Sequence, residues 1–167
     1  MNLAMSDAFP ESARIPIAES KAWQGTEAVY ATVYRDLLRV AFVLTGSAPA
    51  AEDVVHDVFA KVGPRIDTLA EPAAYLRVAV VNRCRSLHRR TVAAPKPDQP
   101  TDSMMDVGVI ELRDALIALP IRQRSAIVLR YLCDLPEEEI AGILKCRRST
   151  VRTLVRRGLA ELREVIR

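Results

Sequence analysis

The stretch from Leu135 to Arg167 constrains the fold most, because it has the pattern of two short helices joined by a tight turn. Pro136 and the three glutamates after it suit the positive, amino-terminal end of a helix. After a break at Lys145–Cys146, apolar residues recur at helical spacing and arginines occupy the opposite face. A buried helix followed by a basic amphipathic helix is typical of a helix-turn-helix, whose second helix enters the major groove of DNA. The plainer interpretation, a helical hairpin with a solvated basic face, explains less of the pattern.

Positive charge is concentrated in two blocks of the chain. The net charge of the 167 residues is only +3, which alone does not indicate nucleic-acid binding. Residues 64–90, however, hold six arginines against two carboxylates, and residues 146–167 hold seven arginines against two carboxylates. Two basic blocks, each at the end of an acidic or neutral region, indicate two separate contacts with a polyanion. A solvated helix face explains either block alone but explains their repetition less well.

The composition predicts an all-α fold. Half of the residues are hydrophobic, few are aromatic, and no segment alternates between apolar and polar residues as a strand does. We predict two small helical domains joined by a flexible linker. The predicted segments are a flexible leader over residues 1–24, a first domain over 25–90, a proline-containing acidic linker over 91–107, and a second domain over 108–167 that contains the helix-turn-helix.

Apolar stripes, with glycine and proline at their ends, set the predicted helices. In the first domain we expect helices over residues 26–45, 48–62 and 73–90, with a short link over 65–72. In the second domain we expect helices over 109–119 and 122–132 before the helix-turn-helix. Gly46 is expected to end the first helix in the left-handed conformation. Ile127, Val128 and Tyr131 are expected to face inward.

Motifs for catalysis, metal binding and membrane insertion are absent from the sequence. Cys84, Cys133 and Cys146 lie far apart, which predicts reduced, packed thiols and neither a zinc site nor a disulfide. His56 and His88 have no ligand-spaced partner, and no phosphate-binding glycine loop is present, so we expect no cofactor, no metal and no enzyme activity. The amino-terminal residues lack an apolar signal core, and no apolar run could span a bilayer, so a cytoplasmic protein without membrane insertion is expected.

Three runs of sequence resemble, in the same order, parts of bacterial sigma factors. AEDVVHDVF at residues 51–59 resembles the region that docks on the clamp helices of RNA polymerase. PAAYLRVAVVNRCRSLHRR at residues 72–90 resembles the helix that reads the −10 promoter element. Residues 115–144, followed by STVRTLVRRGLAELR, resemble the domain that reads the −35 element. The whole, over roughly residues 26–166, resembles an extracytoplasmic-function (group IV) sigma factor of the sigma-70 family, which has only sigma domains 2 and 4.

This resemblance implies promoter-specific transcription initiation, with core RNA polymerase and promoter DNA as partners and an anti-sigma factor as a further possible regulator. The implied polymerase contacts are Glu52, Asp53, His56 and Asp57. The implied −10 contacts are Arg65, Asp67, Arg77, Asn82, Arg85 and Arg89. The implied −35 contacts are Arg147, Arg148, Ser149, Thr150, Arg152, Thr153, Arg156 and Arg157.

The chain departs from the family pattern at several positions. Lys145 stands where the sharp turn usually has glycine, and a left-handed lysine costs about 1 kcal/mol. Arg147 stands where a capping serine is usual, so we expect Ser149 to cap the recognition helix instead. Leu154 replaces a residue that is often basic, and the link after the second helix lacks the usual tryptophans. These differences predict an unusual −35 sequence preference or a lower affinity for DNA.

The alternative to a sigma factor is a stand-alone helix-turn-helix transcriptional regulator, in which the helices between Thr26 and Arg90 would only dimerise. The basic block from Arg77 to Arg90, which follows an acidic helix, distinguishes the two interpretations, because a simple repressor needs neither that block nor the acidic helix. An RNA-binding helical protein is a third interpretation, but the chain has few aromatic residues on which unpaired bases could stack.

Overall fold

A computed structural model describes residues 27–91, here called the first half, and residues 107–165, the second half. Within these ranges every regular element is helical, so the predicted all-α class is confirmed. The elements are α1 (Glu27–Thr45), α2 (Ala48–Val62), a 3-10 turn (Gly63–Thr68), α3 (Pro72–Thr91), α4 (Val107–Ala118), α5 (Ile121–Ile127), a π turn (Val128–Leu132), α6 (Glu137–Leu144) and α7 (Arg148–Val165). The leader over residues 1–24 and nearly all of the linker lie outside the described residues. None of the described helices is long and apolar enough to cross a bilayer.

The first half is a bundle in which α1, α2 and α3 pack against one another. Leu44, Val55 and Val80 meet in its core and are almost completely buried. Gly46 ends α1 with φ at 75°, as predicted, and Ser47 then begins α2 by accepting a hydrogen bond from the Ala50 amide. The predicted link after α2 is partly ordered, because a 3-10 turn continues the chain to Thr68.

The second half places the helix-turn-helix against α5. Gly158 lies where α7 crosses α5, and a Cβ atom at this position would come within 2.6 Å of Ile127 Cδ1. The absence of a side chain therefore lets the two helices approach closely. This contact positions α7 so that one of its faces is buried and the other faces outward.

The segment after α5 corrects one prediction. The α-helix expected to run to residue 132 ends at Ile127 and continues as a π turn, in which the Cys133 amide donates to the Val128 carbonyl at 3.1 Å. A π turn holds more residues than an α turn, so it shifts the register of every later side chain. Ile127 and Val128 are buried as expected, but Tyr131 is 62% exposed, and its predicted inward orientation is wrong.

A buried arginine joins the two halves. The Arg124 side chain on α5 is 2% exposed, and its Nη1 donates to the Leu44 carbonyl near the end of α1 at 2.7 Å. Its Nη2 donates to the carbonyls of Ile117 and Leu119, where α4 ends. These carbonyls lie in the last turn of a helix or just after it. Carbonyls at such positions have no amide donor within the helix. Burial lowers the pKa of Arg124 to about 10, so the guanidinium remains charged at neutral pH.

Replacing Arg124 with Met should lower the free energy of unfolding by about 2–4 kcal/mol, because three carbonyls at helix ends, two of them in buried hydrogen bonds, lose a charged donor. Chemical denaturation of the full chain measures the change. Arg122, which is on the same helix but exposed, provides the matched control, and R122M should change stability by less than about 0.5 kcal/mol. Equal effects of R124M and R122M would contradict the role assigned to the buried guanidinium.

Candidate nucleic-acid interface

The turn between α6 and α7 sets the angle of the second helix. Lys145 occupies the left-handed region, with φ at 51° and ψ at 57°, as the sequence predicts. The Lys145 amide donates to the Gly142 carbonyl and the Cys146 amide to the Ala141 carbonyl, the paired bonds of a helix end of this kind. A lysine therefore adopts a conformation that glycine adopts without strain.

The start of α7 differs from the expectation about its cap. The Arg147 carbonyl accepts bonds from the amides of Thr150 and Val151, so the helix begins at Arg148. Ser149 lies inside the first turn, and its carbonyl accepts from Thr153 Oγ1. Because a capping side chain must precede the first turn, the predicted capping role of Ser149 is wrong.

The two faces of α7 differ sharply in burial and charge. Val151 and Leu162 are buried, and Leu154 packs against the core from a half-buried position. The predicted −35 residues Arg147, Arg148, Ser149, Arg152, Arg156 and Arg157 are exposed, whereas Thr150 and Thr153 are half-buried. The structure thus brings most of this set together on the outer surface of the first turns of the helix.

Two of these arginines are already paired with carboxylates of α6. Arg152 Nε donates to Glu137 Oε2 at 2.7 Å, and Arg148 Nη1 lies 2.7 Å from Glu138 Oε1. Sequence reasoning assigned these glutamates only to the helix dipole. Glu137 and Arg152 are fifteen positions apart, so their contact depends on the crossing of the two helices.

The second half partly covers a basic ridge along α3, which consists of Asn82, Arg85 and Arg89. Asn82 and Arg89 are exposed, while Arg85 is half-buried and its Nη1 lies 3.5 Å from Asn82 Oδ1. Burial lowers the pKa of Arg85, and the positive charges of Arg122 and Arg89 lower it further. Since Arg122 belongs to α5, the middle of the ridge lies at the seam between the halves.

Arg77 is separated from this ridge. It lines a cleft at the seam, beside Asp36 and Arg39 of α1 and beside Leu132 and Cys133 of the second half. Five residues along a helix correspond to a rotation of about 140°, so Arg77 points to a different face from Asn82. The structure therefore does not bring all predicted −10 residues together.

Arg65 and Tyr75 form a pair, of which only Arg65 is among the predicted −10 contacts. The Arg65 guanidinium lies 5.3 Å from the centre of the Tyr75 ring, and Arg65 Nη2 donates to the Tyr75 hydroxyl. Tyr75 is 39% exposed, so its ring provides an aromatic surface where tryptophans were missing from the sequence. The backbone of Asp67 belongs to the nearby 3-10 turn, and its side chain lies outside the described part of the chain.

The acidic face of α2 lies opposite its buried apolar face. Asp53 and His56 are exposed, and Glu52 and Asp57 are half-buried. Asp57 Oδ2 pairs with Lys61 at 3.3 Å and with Arg83 of α3 at 2.7 Å. The hydrogen bond from Lys61, with help from the charges of Lys61 and Arg83, lowers the pKa of Asp57. Asp57 is thus partly neutralised within the bundle, whereas Asp53 is the more available charge.

The cysteine thiols lie apart from these faces. Cys84 is buried in the first half, and burial raises the pKa of its thiol to about 12, so it stays protonated. Cys133 and Cys146 are half-buried, and all three are free thiols. Among the described residues, no group of three or more histidine, cysteine, aspartate or glutamate side chains is placed to hold a metal ion.

A helix-turn-helix with a basic outer face, joined to a bundle with a second basic helix, is the arrangement of a DNA-binding protein. Residues 29–93 match the family described as Sigma-70 region 2, and residues 110–162 match Sigma-70 region 4. The RNA polymerase sigma-E factor of Streptomyces coelicolor is 31% identical over 138 residues, which are 77% of this chain and 78% of that protein. The RNA polymerase sigma factor SigV of Bacillus subtilis is 27% identical over 138 residues, covering 77% of this chain and 83% of that protein.

The fold also matches a solved structure, that of the sigma factor RpoE in complex with the anti-sigma factor NepR from Bartonella quintana. The TM-score is 0.72 at 21% identity, and the match covers 86% of this chain and 97% of the other. The chain belongs to the sigma-70 family, as an RNA polymerase sigma factor of the extracytoplasmic-function group. The predicted family is confirmed, and the stand-alone regulator is not favoured.

Replacing Lys145 with Gly should raise the free energy of unfolding by about 0.5–1 kcal/mol, because glycine relieves the left-handed strain but has more freedom in the unfolded chain. Thermal or chemical denaturation measures the difference. K145A is the matched control, because alanine keeps the Cβ atom and therefore the strain. A gain in stability of the same size for K145A would show that side-chain contacts, and not backbone strain, cause the effect.

Proposed function

We propose that α7 reads the −35 element and α3 the −10 element, while the acidic face of α2 binds core RNA polymerase. The observation that carries this proposal is the division of α7 into a buried apolar face and an exposed face with five arginines within its first turns or immediately before them. Guanidinium groups at the start of a recognition helix reach base edges and phosphates in the major groove. The protein would act by binding and not by catalysis.

The −10 contact is proposed for Asn82, Arg85 and Arg89, with Arg65 and Tyr75 at the near end of α3. Asparagine and arginine can hydrogen-bond to bases and phosphates, and an exposed aromatic ring can stack on an unpaired base. The proposal leaves out Arg77, because its side chain lies in the cleft at the seam.

Both contacts cannot be made while the halves remain packed. The −10 and −35 elements are about 80 Å apart along B-form DNA, whereas a compact body of this size has a radius of gyration of about 14 Å. Sixteen peptide steps connect Thr91 with Val107, and an extended chain of that length reaches about 55 Å. We therefore propose that residues 25–90 and 108–167 act as separable domains that move apart when the protein engages a promoter.

We propose the cellular location and the regulation of the chain from its family membership. RNA polymerase acts in the cytoplasm, so we propose that location for the chain. The structurally similar RpoE was solved with the anti-sigma factor NepR. We propose that an anti-sigma factor also binds this chain and competes for the surfaces that polymerase uses.

Replacing Asp53 with Lys should weaken binding to core RNA polymerase at least tenfold, because a cation would then face a basic docking surface. Titration of labelled full-length chain with core polymerase, without DNA, measures the affinity. Glu71, an exposed carboxylate before α3, provides the control, and E71K should bind normally. If D53K and wild type bind equally, the docking assignment is wrong.

Replacing Arg156 with Ala should cost about 1–3 kcal/mol of binding on the preferred −35 sequence, because a base contact is lost. Gel-shift titration of the holoenzyme on the preferred and on a scrambled −35 duplex separates base reading from phosphate binding. Arg163 is exposed on the same helix about 10 Å further along its axis, so R163A should leave the preference unchanged. An equal loss on both duplexes for R156A would identify a phosphate contact instead.

A further inference from the structure

Two glutamates at the start of α6 pair with two arginines at the start of α7. Glu137 Oε2 accepts a hydrogen bond from Arg152 Nε at 2.7 Å, and Glu138 Oε1 lies 2.7 Å from Arg148 Nη1. Glu137 Oε2 also lies 3.8 Å from Arg148 Nη2. The four side chains are between 29% and 64% exposed, so the cluster lies on the outer surface of the helix-turn-helix.

The pair with Glu137 occupies only one donor of Arg152. Within the described residues, the Nη atoms of Arg152 make no hydrogen bond to protein. These two nitrogens form the outer edge of the guanidinium, the edge that donates to O6 and N7 of guanine. Glu137 therefore fixes the plane of the guanidinium and leaves its base-reading edge available.

We infer that Glu137 is a positioning residue that holds Arg152 in the orientation that reads a guanine of the −35 element. This inference rests on the proposed role of α7. A long side chain loses rotamer freedom when it binds, and a side chain that is already held loses less. The carboxylate also repels nearby phosphates, which weakens binding to DNA of any sequence. Only the positioning increases the discrimination between the right sequence and others, because the repulsion lowers the affinity for every sequence alike.

The alternative is a purely structural role, in which this pair only stabilises the packing of α6 on α7. Ion pairs this exposed contribute little to stability, because water and salt screen them. The two helices are already joined by buried contacts among Ile140, Leu144 and Val151. A role limited to joining the helices therefore predicts no change in sequence preference when the pair is broken, whereas a positioning role predicts that the preference falls.

The test compares E137Q with E139Q in the full chain bound to core RNA polymerase. Glu139 is exposed in the same helical turn and has no ion-pair partner among the described residues, so E139Q removes the same charge without disturbing Arg152. The preferred −35 sequence is first selected by wild-type holoenzyme from a duplex library randomised in that region. Both variants should bind a scrambled duplex more tightly than wild type by similar factors. E137Q alone should lower the ratio of preferred to scrambled affinity, by about 2–5-fold, which is what an exposed ion pair can supply.

A double-mutant cycle with R152A completes the test. In the R152A background, E137Q should have no further effect on the affinity ratio, because the residue that it positions is gone. The inference is overturned if E137Q keeps the wild-type ratio, or if it lowers the ratio equally with and without Arg152. If the wild-type holoenzyme itself prefers no −35 sequence, the proposed role of α7 fails first, and the inference fails with it.

Discussion

The buried guanidinium of Arg124 joins the two halves of this protein in their packed arrangement. It donates to carbonyls at the ends of α1 and α4, which no intrahelical amide satisfies. A cation at the carboxyl ends of helices is favoured by the helix dipole, which offsets part of the cost of removing the charge from water. Because α5 also packs on α7, the position of the helix-turn-helix depends on the same side chain.

The seam around Arg124 connects the fold to the proposed function. Arg85 and Arg77 of α3 both lie at this seam, so the packed arrangement covers part of the −10 ridge. The acidic face of α2 and the outer face of α7 remain exposed. We therefore expect polymerase binding, which uses an exposed face, to be possible before the halves separate, and −10 reading to require their separation.

Local features of the sequence predict the helices and turns well, whereas contacts between distant residues cannot be predicted from it. The helices, the left-handed Gly46 and the strained Lys145 follow from periodicity and from turn chemistry within a few residues. The inward orientation predicted for Tyr131 is wrong because a π turn changes the helical register of the side chains, and no local sequence pattern indicates that change. Arg124 reads as one more surface arginine, since its acceptor at Leu44 is eighty positions earlier in the chain.

The candidate site shows the same limit. The exposed arginines of α7 could be found from the amphipathic pattern alone, since burial of one face leaves the other outward. The pairing of Arg152 with Glu137 could not, because it depends on how α6 crosses α7. Likewise, the spacing of Arg77 and Asn82 places them on different faces of α3, but only the packing of the helices shows that Arg77 lines a cleft beside α1.

The most direct test of the account is co-elution of the purified chain with bacterial core RNA polymerase on a sizing column. The account predicts a stable complex with one copy of the chain per polymerase, which then selects particular promoter sequences from random DNA. A folded chain that binds DNA but forms no complex with core polymerase would contradict the account.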